Sequence, residues 1–323
     1  APASAQAEST PPVEPESPAP TSPTRSQQAA PTSSQELPVG ARLIGSDREG
    51  APVTIPLLEL RKHVAIVGGA GSGKTVLVKR LIEEAALLGI PAIVVDTAND
   101  LVQLGDPRPE PHEEWGAAEH AKAERFFRET ETVVWTPGLE RGNPLRLEPL
   151  PDLDAVSGDV DELNEALAMA REALEGIVAS GRSEAARNRL GVLTAALRVF
   201  ATQGGGTLDD FVALLSELPP DADGGISDAS KHASKMADAL RSQMQIDPLL
   251  GHSGEALDPA GLLGLHSDTA RTRISVLNFV GLPTREQQQQ FLNRLAMSLF
   301  SWIKRHPADS ATPLRGILVL DEA

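Results

Sequence analysis

Gly68-Gly69-Ala70-Gly71-Ser72-Gly73-Lys74-Thr75 places glycines, one lysine and one hydroxyl in the order G-x4-G-K-[ST], at a point where the chain passes from an apolar run into an amphipathic one. His63-Val64-Ala65-Ile66-Val67 reads as a short buried strand and Thr75 to Leu88 as a helix, the strand-turn-helix setting that a phosphate-cradling loop requires. Glycines let backbone N–H groups approach phosphate oxygens, and the helix N-terminus adds donors and partial positive charge. Lys74 is placed to reach the β- and γ-phosphates and Thr75 to offer its hydroxyl to Mg²⁺, with Gly68 through Val76 forming the binding stretch. A bare Gly-rich turn would match the pattern, but not its context. The chain reads as a nucleotide-binding protein.

A second apolar strand, Gly316-Ile317-Leu318-Val319-Leu320, delivers Asp321 and Glu322 at its carboxyl end, as a Walker B element does. An acid there can hold the water shell of Mg²⁺, and an adjacent glutamate can orient and deprotonate the water that attacks the γ-phosphate. Pro91-Ala92-Ile93-Val94-Val95-Asp96 competes for the role, only 22 positions beyond Lys74. Thr97 follows Asp96, so the second carboxylate is missing there. Asp321 is therefore assigned to the metal and Glu322 to the base, with Asp96 near the nucleotide; were Asp96 the metal partner, a kinase-like or GTPase-like protein would follow.

A chain of 323 residues can build one large α/β domain or two modest ones. The formal charge of −16 argues against a surface that coats itself with nucleic acid, though not against a ring that confines its basic groups to pore loops. The absence of cysteine excludes disulfides, thiolate metal sites and cysteine nucleophiles. The seven histidines show no ligand spacing, and no protein-built metal site is assigned. There is no apolar run long enough for a membrane span and no secretion-signal pattern, which reads as a cytoplasmic chain. The first residue is Ala1 and the last, Ala323, directly follows the acidic pair, which reads as a fragment cut at both ends.

Residues 1–36 are dominated by Ala, Pro, Ser, Thr and Gln and read as a disordered linker that tethers the remainder to a protein partner or domain. Residues 37–150 read as the first part of an α/β core, opening on a β-hairpin around Ser46-Asp47-Arg48-Glu49-Gly50. After Asp96 come a polar, Pro-rich loop to Trp115, a helix over about 117–129 and a strand over 132–135. Within 151–265 the apolar spacing becomes i, i+3, i+4, i+7, predicting four helices over about 155–180, 184–201, 207–215 and 227–244. Residues 266–323 return to the core, with a strand over 273–279, a helix over 284–306 and the Walker B strand. Arg182, Arg187, Arg189 and Arg198 read as a solvated helix face, Arg271 and Arg273 as exposed positions at a strand start, and the Gln287 to Gln290 run as helix surface.

Together the pre-loop hairpin, His63 to Gly68 leading to Gly73-Lys74-Thr75, the strand ending Val94-Val95-Asp96 and the late Ile317 to Ala323 resemble the HerA/FtsK superfamily of hexameric translocases. The likeness spans roughly Leu37 to Ala323 and is to the HerA-like central domain shared by DNA-processing helicases and type IV secretion ATPases. The resemblance implies a RecA-like, mostly parallel core that forms a homo-oligomeric, hexameric ring. ATP would bind between subunits, and hydrolysis would be coupled to movement of duplex DNA or of a polypeptide. Lys74, Thr75, Asp321 and Glu322 take the matching roles, while a polar sensor and an arginine finger lie beyond Walker B and so after the last residue here. A nucleotide-dependent switch whose helical segment binds a partner protein, and a secretion-type ATPase, stay open beside the DNA motor.

Overall fold

The computed structural model describes residues 36–44, 47–106, 116–154, 156–179, 181–247, 249–250, 254–309 and 312–321. The expected linker through residue 35, the tip of the hairpin at Gly45-Ser46, the loop over 107–115, Glu322 and Ala323 lie outside them. An antiparallel hairpin of β1 (Glu36–Ile44) and β2 (Asp47–Pro56) comes first, and its Leu37 packs with Leu57 against Leu81 and Ala85 of helix α1 (Lys74–Leu87). The hairpin therefore buttresses the helix that follows the phosphate loop.

The centre is a parallel four-stranded sheet in the order β4-β7-β3-β8, formed by β4 (Thr130–Trp135), β7 (Thr272–Asn278), β3 (Ala92–Asp96) and β8 (Ile317–Asp321). Strand β3 is buried along its whole length because it is covered on both faces, which explains its unbroken apolar run. Val94, Ile274 and Val276 pack against Ile82 and Ala86 of α1 and Phe126 of α2 (Ala117–Glu129). Ile93, Val95 and Leu277 pack on the other face against Phe291 and Leu295 of α8 (Arg285–Arg305) and Leu262 of the short α7 (Pro259–Leu262). This is an α/β sandwich of three layers with an N-terminal hairpin, consistent with a RecA-like P-loop core.

Four helices, α3 (Val160–Val178), α4 (Glu184–Thr202), α5 (Leu208–Ser216) and α6 (Ala229–Ile246), share a separate core around Leu174, Leu193, Phe211 and Leu240. They leave and rejoin the sheet region through two-residue parallel strands, β5 (Leu145–Arg146) and β6 (Glu255–Ala256), reinforced by Leu147 N–H donating to the Leu249 carbonyl at 2.6 Å. The sequence pattern finds all four helices and misses β5 and β6, which are too short to show any alternation.

One expected strand is absent. His63 to Val67 belongs to no strand or helix, and Val67 is 92% exposed. Only Ile66 of that run packs inward, against the same cluster as Ile317 at the start of β8. A strand needs a neighbour to exchange hydrogen bonds with, and among the described residues the segment has none.

Candidate nucleotide site

The connection from α1 to β3 is short, so the helix and strand run antiparallel. At about 1.5 Å per residue in a helix and 3.3 Å in a strand, the 14 residues of α1 span about 21 Å and the 5 of β3 about 17 Å, so the helix runs back over the length of the strand. The N-terminus of α1 therefore stands over the edge where the parallel strands end. Register places Asn278, Asp96 and Asp321 side by side along that edge, Asp96 paired with Asn278 on one side and Asp321 on the other. Carboxyl ends of strands and a helix N-terminus converging in this way form the usual ligand crevice of open α/β sheets.

The loop itself is exposed from Gly68 to Gly73, with Lys74 and Thr75 half-buried and Val76 71% exposed at the start of the helix. Gly71 and Gly73 take φ angles of 73° and 87°, in the left-handed region that favours glycine. A Cβ at Gly69, Gly71 or Gly73 would meet nothing within 4 Å, so the concave side of the loop is open. At Gly68 the opposite holds: a Cβ would fall on the Ser72 side chain. Lys74 folds over the loop, its Nζ donating to the Gly69 carbonyl at 3.1 Å.

Helix α1 differs from α3, α4, α5 and α8 in how it begins. Those four are capped by the side chains of Asp159, Ser183, Thr207 and Thr284. Helix α1 starts from Gly73 with no side-chain cap and no acid in its first turn; α6 also lacks both, and it is the glycine loop before α1 that sets it apart. Its leading N–H groups and positive dipole end are left to a ligand, which is what an anion-binding helix terminus requires. An open, glycine-shaped loop, uncapped amides, a lysine and a threonine hydroxyl together fit a polyphosphate with its Mg²⁺.

Asp96 and Asp321, rivals in the sequence, have different surroundings. Asp96 is 1% exposed and accepts the backbone N–H groups of Asp100 and Leu101, each at 3.0 Å, one on each oxygen. It shapes the turn after β3, in which Asn99 takes a left-handed φ of 65° and accepts from the Asn278 amide. Asp321 is half-buried, and its backbone carbonyl accepts the Thr97 hydroxyl at 3.0 Å. Asn278 and Asn99 escape a motif search because neither belongs to a known pattern; only the strand-end position of Asn278 hinted at them.

The remaining candidates lie apart from this edge. Arg182 is exposed just before α4 and Arg187 and Arg198 are exposed on it, whereas Arg189 departs from the solvated face, being half-buried with its Nε covered; Arg271 is exposed. Arg273 departs from expectation: its side chain is 14% exposed and its guanidinium bonds Glu131 at 2.8 Å across the β4–β7 pair, because the two residues are paired in register. Gln287 completes a capping box with Thr284, and Gln288 donates to the Leu282 carbonyl at 2.9 Å. Among the described residues no group of three or more acidic or histidine side chains is arranged to hold a metal, and no helix is long and apolar enough to cross a membrane.

A family model described as "Helicase HerA, central domain" matches residues 38–299. The match takes in the hairpin, the phosphate loop, the four-helix unit and β7, and stops short of β8. No curated protein and no solved structure matches the chain.

Proposed function

Because the chain belongs to the HerA central-domain family of P-loop ATPases, we propose that it is the motor domain of a DNA translocase, binding Mg·ATP at Gly68–Val76 and hydrolysing it. The observation that carries the nucleotide part is the uncapped N-terminus of α1 behind an open glycine loop, a combination that leaves phosphate oxygens as the natural acceptors. Lys74 trades the Gly69 carbonyl for the β- and γ-phosphates, and the backbone amides from Gly69 to Thr75 fix the chain of phosphates. Thr75 and Asp321 would hold Mg²⁺, Asp321 through water; when bound, the ion neutralises charge that develops on the phosphates. Glu322, next to Asp321 at the end of an apolar strand, is the candidate base that takes the proton of the attacking water.

The DNA part of the reading rests on the family's character and not on a basic groove, since the chain carries a formal charge of −16. A homo-oligomeric ring, hexameric as in motors of this class, is part of the same reading. The test is ATP hydrolysis with and without linear duplex DNA. Stimulation by DNA that disappears in Glu322→Gln, while Mg·ATP binding persists, supports the translocase. Turnover indifferent to DNA moves the reading to a polypeptide-moving ATPase or a nucleotide switch. Lys74→Ala should lose Mg·ATP binding by at least about tenfold, the value of one charge-assisted contact; retained affinity overturns the phosphate-loop assignment.

A further inference from the structure

Between the four-helix unit and α8 lies a cavity of about 610 Å³, within the size range that accommodates a small organic ligand. None of its lining residues comes from the phosphate loop or from the strand ends at the nucleotide edge. It exists because the four helices have their own core and do not pack tightly onto α8; two ion pairs, Lys304 with Glu165 at 3.7 Å and Arg305 with Asp152 at 3.8 Å, bridge the gap. Such long, exposed pairs hold weakly and yield easily. Leu153 and Met169 face the space from one side and Met297, Phe300 and Trp302 from the other. Met297 is 43% and Phe300 55% exposed, an apolar surface that water covers poorly.

The polar groups around this space are unequally occupied. Glu165 and Asp152 face Lys304 and Arg305, and Asp258 caps α7 through the amides of Ala260 and Gly261. Glu148 accepts the Leu208 amide at 2.9 Å. Glu162 adds a fifth carboxylate to the lining, and Arg294 differs from these groups in that its Nη2 is buried and has no hydrogen-bond partner among the described residues. Burial disfavours its charge, and the opposing charge of Glu148 favours it. A guanidinium carries five donors, so Arg294 has capacity that the protein leaves unused.

We propose that this cavity is a second binding site, separate from the phosphate loop, for a small amphipathic anion whose apolar body lies on Met169, Met297 and Phe300 and whose carboxylate or similar head engages Arg294. The covered Nη2 reaches such a head by a rotation of the Arg294 side chain. The rim pairs on Lys304 and Arg305 open as the ligand enters.

Isothermal titration with decanoate, and with nonyltrimethylammonium as the same tail carrying the opposite charge, tests this. Decanoate should bind once per chain with a dissociation constant below about 1 mM, and the cation at least tenfold more weakly. Arg294→Met should weaken decanoate by about tenfold or more. Ser301→Trp, which places a large ring in the cavity from α8, should abolish binding; it also carries the test if Arg294→Met fails to fold. Failure of decanoate to saturate, equal binding of the cation, or undiminished binding in the Ser301→Trp protein each overturns the proposal. Lys74→Ala should leave decanoate binding unchanged, which separates this site from the nucleotide reading.

Discussion

Asp96 and Asp321 occupy adjacent registered positions at the ends of β3 and β8, yet both oxygens of Asp96 are already committed to the Asp100 and Leu101 amides. A carboxylate spent in this way builds the loop and has little left for a metal's water shell. Asp96→Ala is therefore expected to cost about 1–3 kcal/mol of stability, the penalty for leaving buried amides without acceptors, while Mg·ATP affinity of the folded protein changes by less than about threefold. Urea unfolding and nucleotide titration on the same preparation check both halves. A tenfold or greater loss of affinity in the folded variant would transfer the metal role from Asp321 to Asp96. Gly71 offers a complementary case: Gly71→Ala meets no atom within 4 Å, so its effect comes from the left-handed φ alone, about 1–2 kcal/mol of backbone strain.

The contrast between helix starts belongs to the scale of elements. Helix α5 is closed by a reciprocal box in which the Thr207 hydroxyl accepts the Asp210 amide and the Asp210 carboxylate takes the Thr207 amide and hydroxyl. Those bonds to Thr207, hydroxyl first and then amide, hold the Asp210 carboxyl below the usual carboxylate range. Its folded pKa is thus depressed, so the stability it adds is present above the unfolded pKa and is lost as pH falls through the folded one. Thr207→Ala should cost about 1 kcal/mol at neutral pH, and thermal unfolding should show the gap between variant and parent narrowing at acid pH. A gap that is constant with pH would mean that the carboxylate contributes nothing to the cap. The same logic explains what was legible in the sequence. The 3.6-residue spacing gives the bodies of α3 to α6, because that signal is local, while the caps Ser183, Thr207 and Thr284 stand one residue before their helices. The strand expected at His63 to Val67 was not decidable locally: the apolar run is real, but pairing depends on a neighbour elsewhere in the chain. Strand β8 shows the same dependence, with Leu318 and Leu320 about half exposed although the sequence reads as core. At the candidate site, Lys74, Thr75 and the glycines were readable from the motif. The commitment of Asp96 to backbone amides and the Asn278–Asn99 bond were not, since both are created by the turn that follows β3.

At the scale of the whole molecule, the sheet with its flanking helices and the α3–α6 unit have separate apolar cores, joined through β5, β6 and the Leu147–Leu249 bond. Contact between cores is what couples their unfolding, and here an open cavity replaces much of it. The two bodies should accordingly open as distinct cooperative units. Leu193 is fully buried among the four helices, and Leu193→Ala should destabilise that unit by about 2.7–5 kcal/mol through lost burial and the cavity left behind. Native-state hydrogen exchange should then show amides of α4 and α6 losing protection by that amount, while amides of β3 and β7 keep theirs. The β5–β6 connection is the place where coupling would otherwise enter, since Glu148 just beyond β5 receives the first amide of α5 and lies within the electrostatic reach of Arg294 on α8. If β3 and β7 lose protection in step with α4, the β5–β6 connection and Glu148 transmit unfolding between the bodies, and the four helices and the nucleotide edge form one mechanical unit. If only α4 and α6 respond, the helices can shift against the sheet without disturbing the phosphate loop, as a ligand entering the cavity beside α8 would require.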